Sequence, residues 1–251
     1  MIIPVIGKGG VGKTTITVLL LRLLLEAKKT PVLLIDADPS SCLGGALGVH
    51  VNTTIGMLRD RLRDDPDQPA SLSKSDWLAL LAEEAMVEEH GYDLLTMGHP
   101  EGPGCYCFVN NILRDYLTRL GRHYRLVLVD CEAGQEHLSR RTTARPDRLV
   151  CVANRSRMAA ETIRHSLALF ERLNGALPHR VELMLNGFAE QDELAEETAR
   201  IASGDHYSFD RVWVIPHDSA ISSLECAGHS LLKLHESASS LGALRGWEKT
   251  L

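Results

Sequence analysis

Positive charge is not in excess in this chain: 27 Lys and Arg against 33 Asp and Glu leave a formal net charge of −6 over 251 residues. That balance argues against a nucleic-acid footprint spread over the whole protein and leaves only a local basic patch open. Long apolar runs are missing as well. The most apolar stretch, Ile16 to Leu25, is broken by Arg22 and is far too short to span a bilayer, so it reads as a buried helix. No basic n-region, apolar h-region and cleavage site precede the first strand, and no export signal is expected. Cysteine is sparse. Six thiols scattered through the chain cannot build a disulfide framework, which makes a reduced, cytoplasmic protein the expectation. Repeats, low-complexity tracts and linkers are lacking too, and the length suits one α/β domain over residues 1–251.

What is present is organised around Gly7-Lys8-Gly9-Gly10-Val11-Gly12-Lys13-Thr14. An apolar run, Ile2 to Ile6, leads into it and a long apolar helical pattern leaves it. All fixed positions of GxxxxGK[ST] are met in the strand–loop–helix setting where that loop binds phosphate. Glycines let several backbone N–H groups converge on anionic oxygens, and the helix beyond adds its positive end. Gly9, Gly10, Val11, Gly12, Lys13, Thr14 and Thr15 are therefore the expected nucleotide contacts. Lys13 reaches the β- and γ-phosphates of ATP, and the Thr14 hydroxyl ligates Mg²⁺.

Strands and helices alternate along the chain. Helix is expected over Lys13–Ala27, Ser73–His90 (a capping box at Ser73-Lys74-Ser75-Asp76, with Gly91 as the stop), Val109–Leu120, Met158–Leu173 and Asp192–Ala202, with a short one at Arg59–Arg63. Continuous apolar strands are expected over Pro31–Asp36, Tyr92–Met97, Leu126–Asp130, Leu149–Ala153, Val181–Asn186 and Val212–Ile215. The pattern predicts an α/β fold, a doubly wound, mostly parallel sheet flanked by helices. Pro4 breaks a local rule inside the first strand and is expected near its start or on an unpaired side.

Strand ends carry the remaining candidates, since ligands of open α/β sheets bind at the C-terminal edge. Asp130 closes an apolar run as a Walker B carboxylate that holds Mg²⁺ through its water shell. Asp36 and Asp38 end the second strand; a turn-capping role for Asp38 is the plain alternative. Asn186 ends the sixth, and its amide offers the donor and acceptor that suit an adenine edge, or else simply favours a turn. Cys105-Tyr106-Cys107 places two thiols on one side of an extended segment. Two ligands do not close a metal site. A two-fold axis would supply the other pair, and four thiolates suit Zn²⁺ or Ni²⁺; two reduced structural cysteines remain the alternative. Cys42, Cys151 and Cys226 are expected in or near the core, and Cys131 as a small buried thiol beside Asp130.

The pattern KGGVGKT, with its second lysine Lys8, resembles the deviant Walker A loop of the MinD/ParA/ArsA/nitrogenase-iron-protein ATPases. That resemblance implies a homodimer in which Lys8 reaches the partner's phosphates, as an arginine finger does, rather than being a solvated surface lysine. It further implies that Asp38, before Pro39, lies in switch I, orients the attacking water and serves as a water-mediated Mg²⁺ ligand. It places base recognition at Asn186, with the segment around Pro216 packed on the ring. More narrowly, Pro100 to Cys107, Val109-Asn110-Asn111 and Asp130-Cys131-Glu132-Ala133-Gly134-Gln135-Glu136-His137-Leu138 together resemble the CooC family over essentially the whole chain. These are accessory ATPases that supply nickel to carbon monoxide dehydrogenase, with a close relative serving acetyl-CoA synthase. The resemblance implies metal (Ni²⁺, with Zn²⁺ an alternative) on Cys105 and Cys107 at the dimer interface. It makes Glu132 to His137 a γ-phosphate-sensing switch II, with Glu132 among the nucleotide contacts. His99 and His137 are secondary candidates for metal capture. The competing class is a MinD- or ParA-like positioning ATPase on membrane or DNA. It would want a basic amphipathic tail, and Leu241–Leu251 is short and interrupted by Gly242 and Gly246. Neither membrane nor nucleic acid is expected as a partner.

Overall fold

Six strands are apolar almost without interruption, and residues of this kind cannot face water on either side, so they assemble as the covered interior of a parallel sheet. The computed structural model describes residues 1–58, 69, 71–98, 120, 123–131, 146–189 and 193–251. Its strands are β1 (Ile2–Gly7), β2 (Val32–Ala37), β3 (Val87–Glu89), β4 (Tyr92–Thr96), β5 (Leu126–Cys131), β6 (Arg148–Ala153), β7 (Arg180–Asn186) and β8 (Arg211–Ile215). They form one sheet in the order β3-β4-β2-β5-β1-β6-β7-β8, parallel except for the β3–β4 pair. The expected α/β architecture is what is found.

Helices cover both faces, and strand parity decides which side chain meets which layer. Val32 and Leu34 join the cluster built on α1 (Lys13–Glu26), while Leu33 and Ile35 join the opposite cluster with Leu81 and Ala82 of α3 (Lys74–Glu84). Further helices bounded within the described residues are α2 (Cys42–Leu47), α4 (Arg157–Asn174), α5 (Glu193–Ser203), α6 (Ser219–Cys226) and α7 (Ser239–Leu244), with 3₁₀ turns at Leu231–Lys233 and Trp247–Thr250. α1 is buried on nearly every face, as its mostly apolar pattern requires. Among the described residues no helix is long and apolar enough to cross a membrane.

Two local expectations change, and a third holds. The helix expected from Ser73 to His90 does start on the Ser73 cap, whose hydroxyl accepts from Asp76 N–H, but it stops at Glu84. The chain then turns back as the β3–β4 hairpin, in which Glu89 pairs with Tyr92. Gly91, at φ +91°, is therefore the left-handed residue of a two-residue loop rather than a helix stop. The half-buried Val87 and the short antiparallel pairing make β3 an edge strand that periodicity alone does not separate from the helix before it. Pro4 lies in β1, one of the two central strands, and on a side of it not yet paired, as expected. It is tolerated because the β1–β6 ladder begins only at Val5, so the missing donor falls before that pairing. Cys42 and Cys226 are exposed, not in the core, because they lie on short segments outside the sheet; Cys131 and Cys151 are buried as expected. The expected helices at Arg59–Arg63 and Val109–Leu120 lie outside the described residues, apart from Leu120.

The sheet's lower edge is closed by the last turn of chain. Trp247 is fully buried and donates to Glu182 Oε2 at 2.7 Å; Glu182 Oε1 in turn takes Arg148 at 3.0 Å. Arg148 also donates to the Thr250 hydroxyl and carbonyl, at 2.7 and 2.6 Å. The stretch that a membrane-binding tail would need is thus folded into the protein.

Candidate nucleotide-binding site

The loop after β1 lies where the strand order reverses, with β5 and β2 on one side of β1 and β6 and β7 on the other. That is the crevice in which open α/β sheets bind ligands. Gly7 lies so close to β6 that a Cβ would sit 2.3 Å from the Val152 carbonyl oxygen. Gly12 adopts φ +95° as the cap of α1, and a Cβ there would meet Asn186 Nδ2 at 2.3 Å. Both positions need glycine, for space and for backbone conformation respectively. Gly9 and Gly10 are exposed at the loop tip, Val11 anchors it in the core, and Thr14 and Thr15 begin the helix half-buried. Lys13 is nearly buried, and its ammonium donates to the Lys8 carbonyl at 3.3 Å, across the mouth of the loop. Lys8 itself is half-buried.

Asp130 faces this loop. Thr14 Oγ1 donates to Asp130 Oδ2 at 2.6 Å, joining the helix to the end of β5. The other carboxylate oxygen, Oδ1, is buried with no hydrogen-bond partner among the described residues. An orphaned carboxylate oxygen beside a threonine hydroxyl fits a hydrated Mg²⁺, which is bound through one or two such groups plus substrate phosphates. Burial pushes the Asp130 carboxyl up to about 6, against the Thr14 hydrogen bond and the Lys13 charge, which hold it down. The same burial raises Asp36 to about 7, its neighbour Asp130 adding to the rise. Cys131, fully buried, goes up to about 12 for the same first cause, so its thiol stays protonated and is no nucleophile.

These features are those of a nucleotide-binding P-loop, and comparison with known proteins agrees. Residues 2–231 match the model of the CobQ/CobB/MinD/ParA nucleotide-binding domain. The chain belongs to that family. The MinD/ParA-type chain is 37% identical over 239 residues to an uncharacterized ATP-binding protein of Methanocaldococcus jannaschii, covering 94% of this chain and 92% of that one. It is 30% identical over 249 residues to the carbon monoxide dehydrogenase accessory protein CooC of Rhodospirillum rubrum, with 93% and 90% covered. Its fold matches the septum site-determining protein MinD of Pyrococcus horikoshii, solved with Mg-ADP, at a TM-score of 0.65 and 22% identity over 97% and 93% of the two chains. The chain is a member of an ATP-binding P-loop ATPase family.

In this MinD/ParA-type site the other strand-end candidates lie as follows. Asp38 is half-buried beyond β2, and its Oδ1 accepts from Ser40 N–H at 2.9 Å, the turn-capping contact named above as the plain alternative. Asn186 Nδ2 donates to the Val11 carbonyl at 2.9 Å, so this side chain braces the phosphate loop. Pro216 is half-buried just after β8, whose end pairs with Asn186. Sequence reasoning did not find the Thr14–Asp130 and Asn186–Val11 contacts. Each joins the loop or helix after β1 to the end of a strand far away in sequence, and only the strand order brings them together. Cys105, Cys107, Glu132, His99 and His137 lie outside the described residues. Among the described residues no group of three or more His, Cys, Asp and Glu could hold a metal ion.

Proposed function

We propose that this chain is a homodimeric, Mg²⁺-dependent ATPase that carries nickel on Cys105 and Cys107 and assists its insertion into carbon monoxide dehydrogenase or the related acetyl-CoA synthase. The observation that carries this reading is the near full-length relation to CooC, at 30% identity, in a chain that also holds Cys105-Tyr106-Cys107. On this reading residues 1–251 act as one ATPase domain. The loop amides of Gly9 to Thr15 cradle the phosphates, Lys13 neutralises them, and Thr14 with Asp130 holds the cation. Mg²⁺ supplies charge neutralisation on the phosphate oxygens when bound. Asp38 orients the attacking water and lies among the water-mediated contacts of the cation. Lys8, reaching from the partner subunit, meets charge developing on the transferred phosphoryl. Glu132 senses the γ-phosphate, and Asn186 with Pro216 holds the base.

Nickel is cargo here, so its affinity must depend on the nucleotide state, and the dependence is reciprocal. The test is to measure oligomeric state and bound Ni²⁺ together, in ADP and in a non-hydrolysable ATP analogue. Two protomers per nickel and a shift of at least about fivefold in affinity between the two nucleotides are expected, the lower end of ordinary allosteric coupling. Unchanged Ni²⁺ binding in a Cys105→Ala/Cys107→Ala double variant sinks the assignment. The positioning-ATPase alternative is weakened by the burial of Trp247, which leaves Leu241–Leu251 no free apolar face of the kind a membrane anchor needs.

A further inference from the structure

Asp36 is a buried carboxylate at the nucleotide edge that the proposed reaction leaves unused. It is fully buried in the last turn of β2, in register with Asp130 on one side and Thr96 on the other. A buried carboxylate is kept only where its hydrogen bonds offset the loss of water. Asp36 Oδ2 accepts from Leu43 N–H at 2.9 Å, and Oδ1 accepts from Asp38 N–H at 3.2 Å. The two donors lie on either side of the Asp38-Pro39-Ser40-Ser41 turn, and between them they pin both ends of it to the sheet. Within that turn Asp38 Oδ1 takes Ser40 N–H at 2.9 Å, and Ser41 N–H donates to the Asp38 carbonyl at 2.9 Å. Ser41 is held at φ +50°, a conformation a free chain would leave.

We propose that Asp36 is a positioning residue for ATP hydrolysis: its carboxylate clamps the turn that carries Asp38, fixing where that side chain stands relative to the phosphate loop. The proposal rests on the ATPase reading above. Asp36 spends both carboxylate oxygens on these two backbone donors. Its effect comes through the backbone of residues 38 and 43, so it belongs to the turnover rate and not to nucleotide affinity, which the loop and α1 supply.

Asp36→Asn tests this, since an amide keeps the volume but turns one acceptor into a donor facing an N–H. The readouts are kcat and KM for Mg-ATP hydrolysis, with Kd for Mg-ADP. The expected result is a fall in kcat of about tenfold or more, the size of one buried backbone donor left unpaired, with Kd for Mg-ADP within about twofold. Leu43→Pro removes one donor at the first turn of α2 without touching the carboxylate but also a fully buried side chain, so it is read only as a folded variant with Mg-ADP affinity within about twofold, in which kcat is expected to fall in the same sense. Thr96→Val serves as the control. Its hydroxyl is buried and unpartnered, so the change removes no hydrogen bond from the turn and should leave kcat near the wild-type value. An active wild type with an Asp36→Asn variant within twofold of its kcat overturns the proposal alone. So does a variant whose Mg-ADP affinity falls along with kcat. A wild type that hydrolyses no ATP overturns the ATPase reading and this one with it. If Asp36→Asn does not fold, Leu43→Pro decides between the same outcomes.

Discussion

Gly12→Ala perturbs the phosphate loop at a point where two separate costs can be told apart. The first is backbone: φ +95° is outside the range of an L side chain, and about 1–2 kcal/mol is the usual cost of forcing it. The second is steric. The new Cβ would lie 2.3 Å from Asn186 Nδ2, which must retreat and so lose its hydrogen bond to the Val11 carbonyl. That bond is worth about 1 kcal/mol net, and displacing a packed amide adds a similar amount. Gly12→Ala should therefore destabilise the fold by about 3 kcal/mol in urea unfolding. Asn186→Ala alone should cost about 1 kcal/mol, from the lost bond. In the double variant the clash is gone and only the strain and the lost bond remain. It should unfold no more easily than Gly12→Ala by itself, falling short of the sum of the singles by about 1–2 kcal/mol. Strict additivity would refute the claim that Asn186 braces the loop, and a Gly12→Ala variant within about 0.5 kcal/mol of wild type would refute the strain argument.

Other expectations follow from the same site and from the sheet's lower edge. Thr14→Val removes both the proposed cation ligand and the 2.6 Å bond to Asp130, and Mg-dependent stabilisation by ADP in thermal unfolding should disappear while the fold persists. The native Asp130 and Asp36 carboxyls hold their protons to about 6 and about 7, well above their ordinary value of 3.8. Between about pH 4 and pH 7 the native state therefore binds more protons than the unfolded chain, and the stability these groups lend is present in acid and lost as pH rises through that window. Urea midpoints of the magnesium-free protein should fall from pH 5 to pH 7.5 more steeply for wild type than for Asp130→Asn; equal slopes would contradict this. Arg148→Ala strands the buried Glu182 carboxylate beside Trp247 and should cost about 3–5 kcal/mol, whereas Arg148→Met/Glu182→Leu should recover most of it.

The loop, the sheet class and the strand ends were legible because each is a local pattern. A glycine-rich motif between an apolar strand and an apolar helix has few other meanings, and continuous apolar runs admit only a covered parallel sheet. What escaped was whatever depends on strand order. Asp36, Asp130 and Thr96 share one row only because β2 lies between β4 and β5, and no spacing in the sequence records that. Asn186 is an adenine candidate by motif, but its hydrogen bond to Val11 exists because β7 ends beside the loop across β6. The β3–β4 hairpin was hidden by its brevity, since Val87–Glu89 offers no alternation long enough to outvote the helical pattern before it.

The same row of strand ends suggests how a change at the phosphates could be felt in the segment that carries the cysteine pair. Asp36 grips the Asp38-to-Ser41 turn with its side chain, but its carbonyl accepts from Met97 N–H at 2.8 Å, where the chain leaves β4. The Met97 carbonyl then takes Gly56 N–H, also at 2.8 Å. Gly98 follows at φ +66°, and a Cβ there would lie 2.4 Å from Thr54 Oγ1. Cys105 comes seven residues later (105 − 98). A turn displaced by nucleotide would pull on β2's end, and through Met97 on the first residues of that segment, whereas Gly98 leaves the exit no slack. Gly98→Ala, which is both strained and overpacked, should therefore leave Mg-ADP affinity intact and blunt the difference in Ni²⁺ affinity between ADP and a non-hydrolysable ATP analogue, by at least half on a logarithmic scale. Thr54→Ser/Gly98→Ala, which removes the Thr54 methyl lying 2.9 Å from the added Cβ, should restore part of it. A Gly98→Ala protein with the full wild-type difference would show that the two sites communicate by another route, the partner subunit being the first to consider.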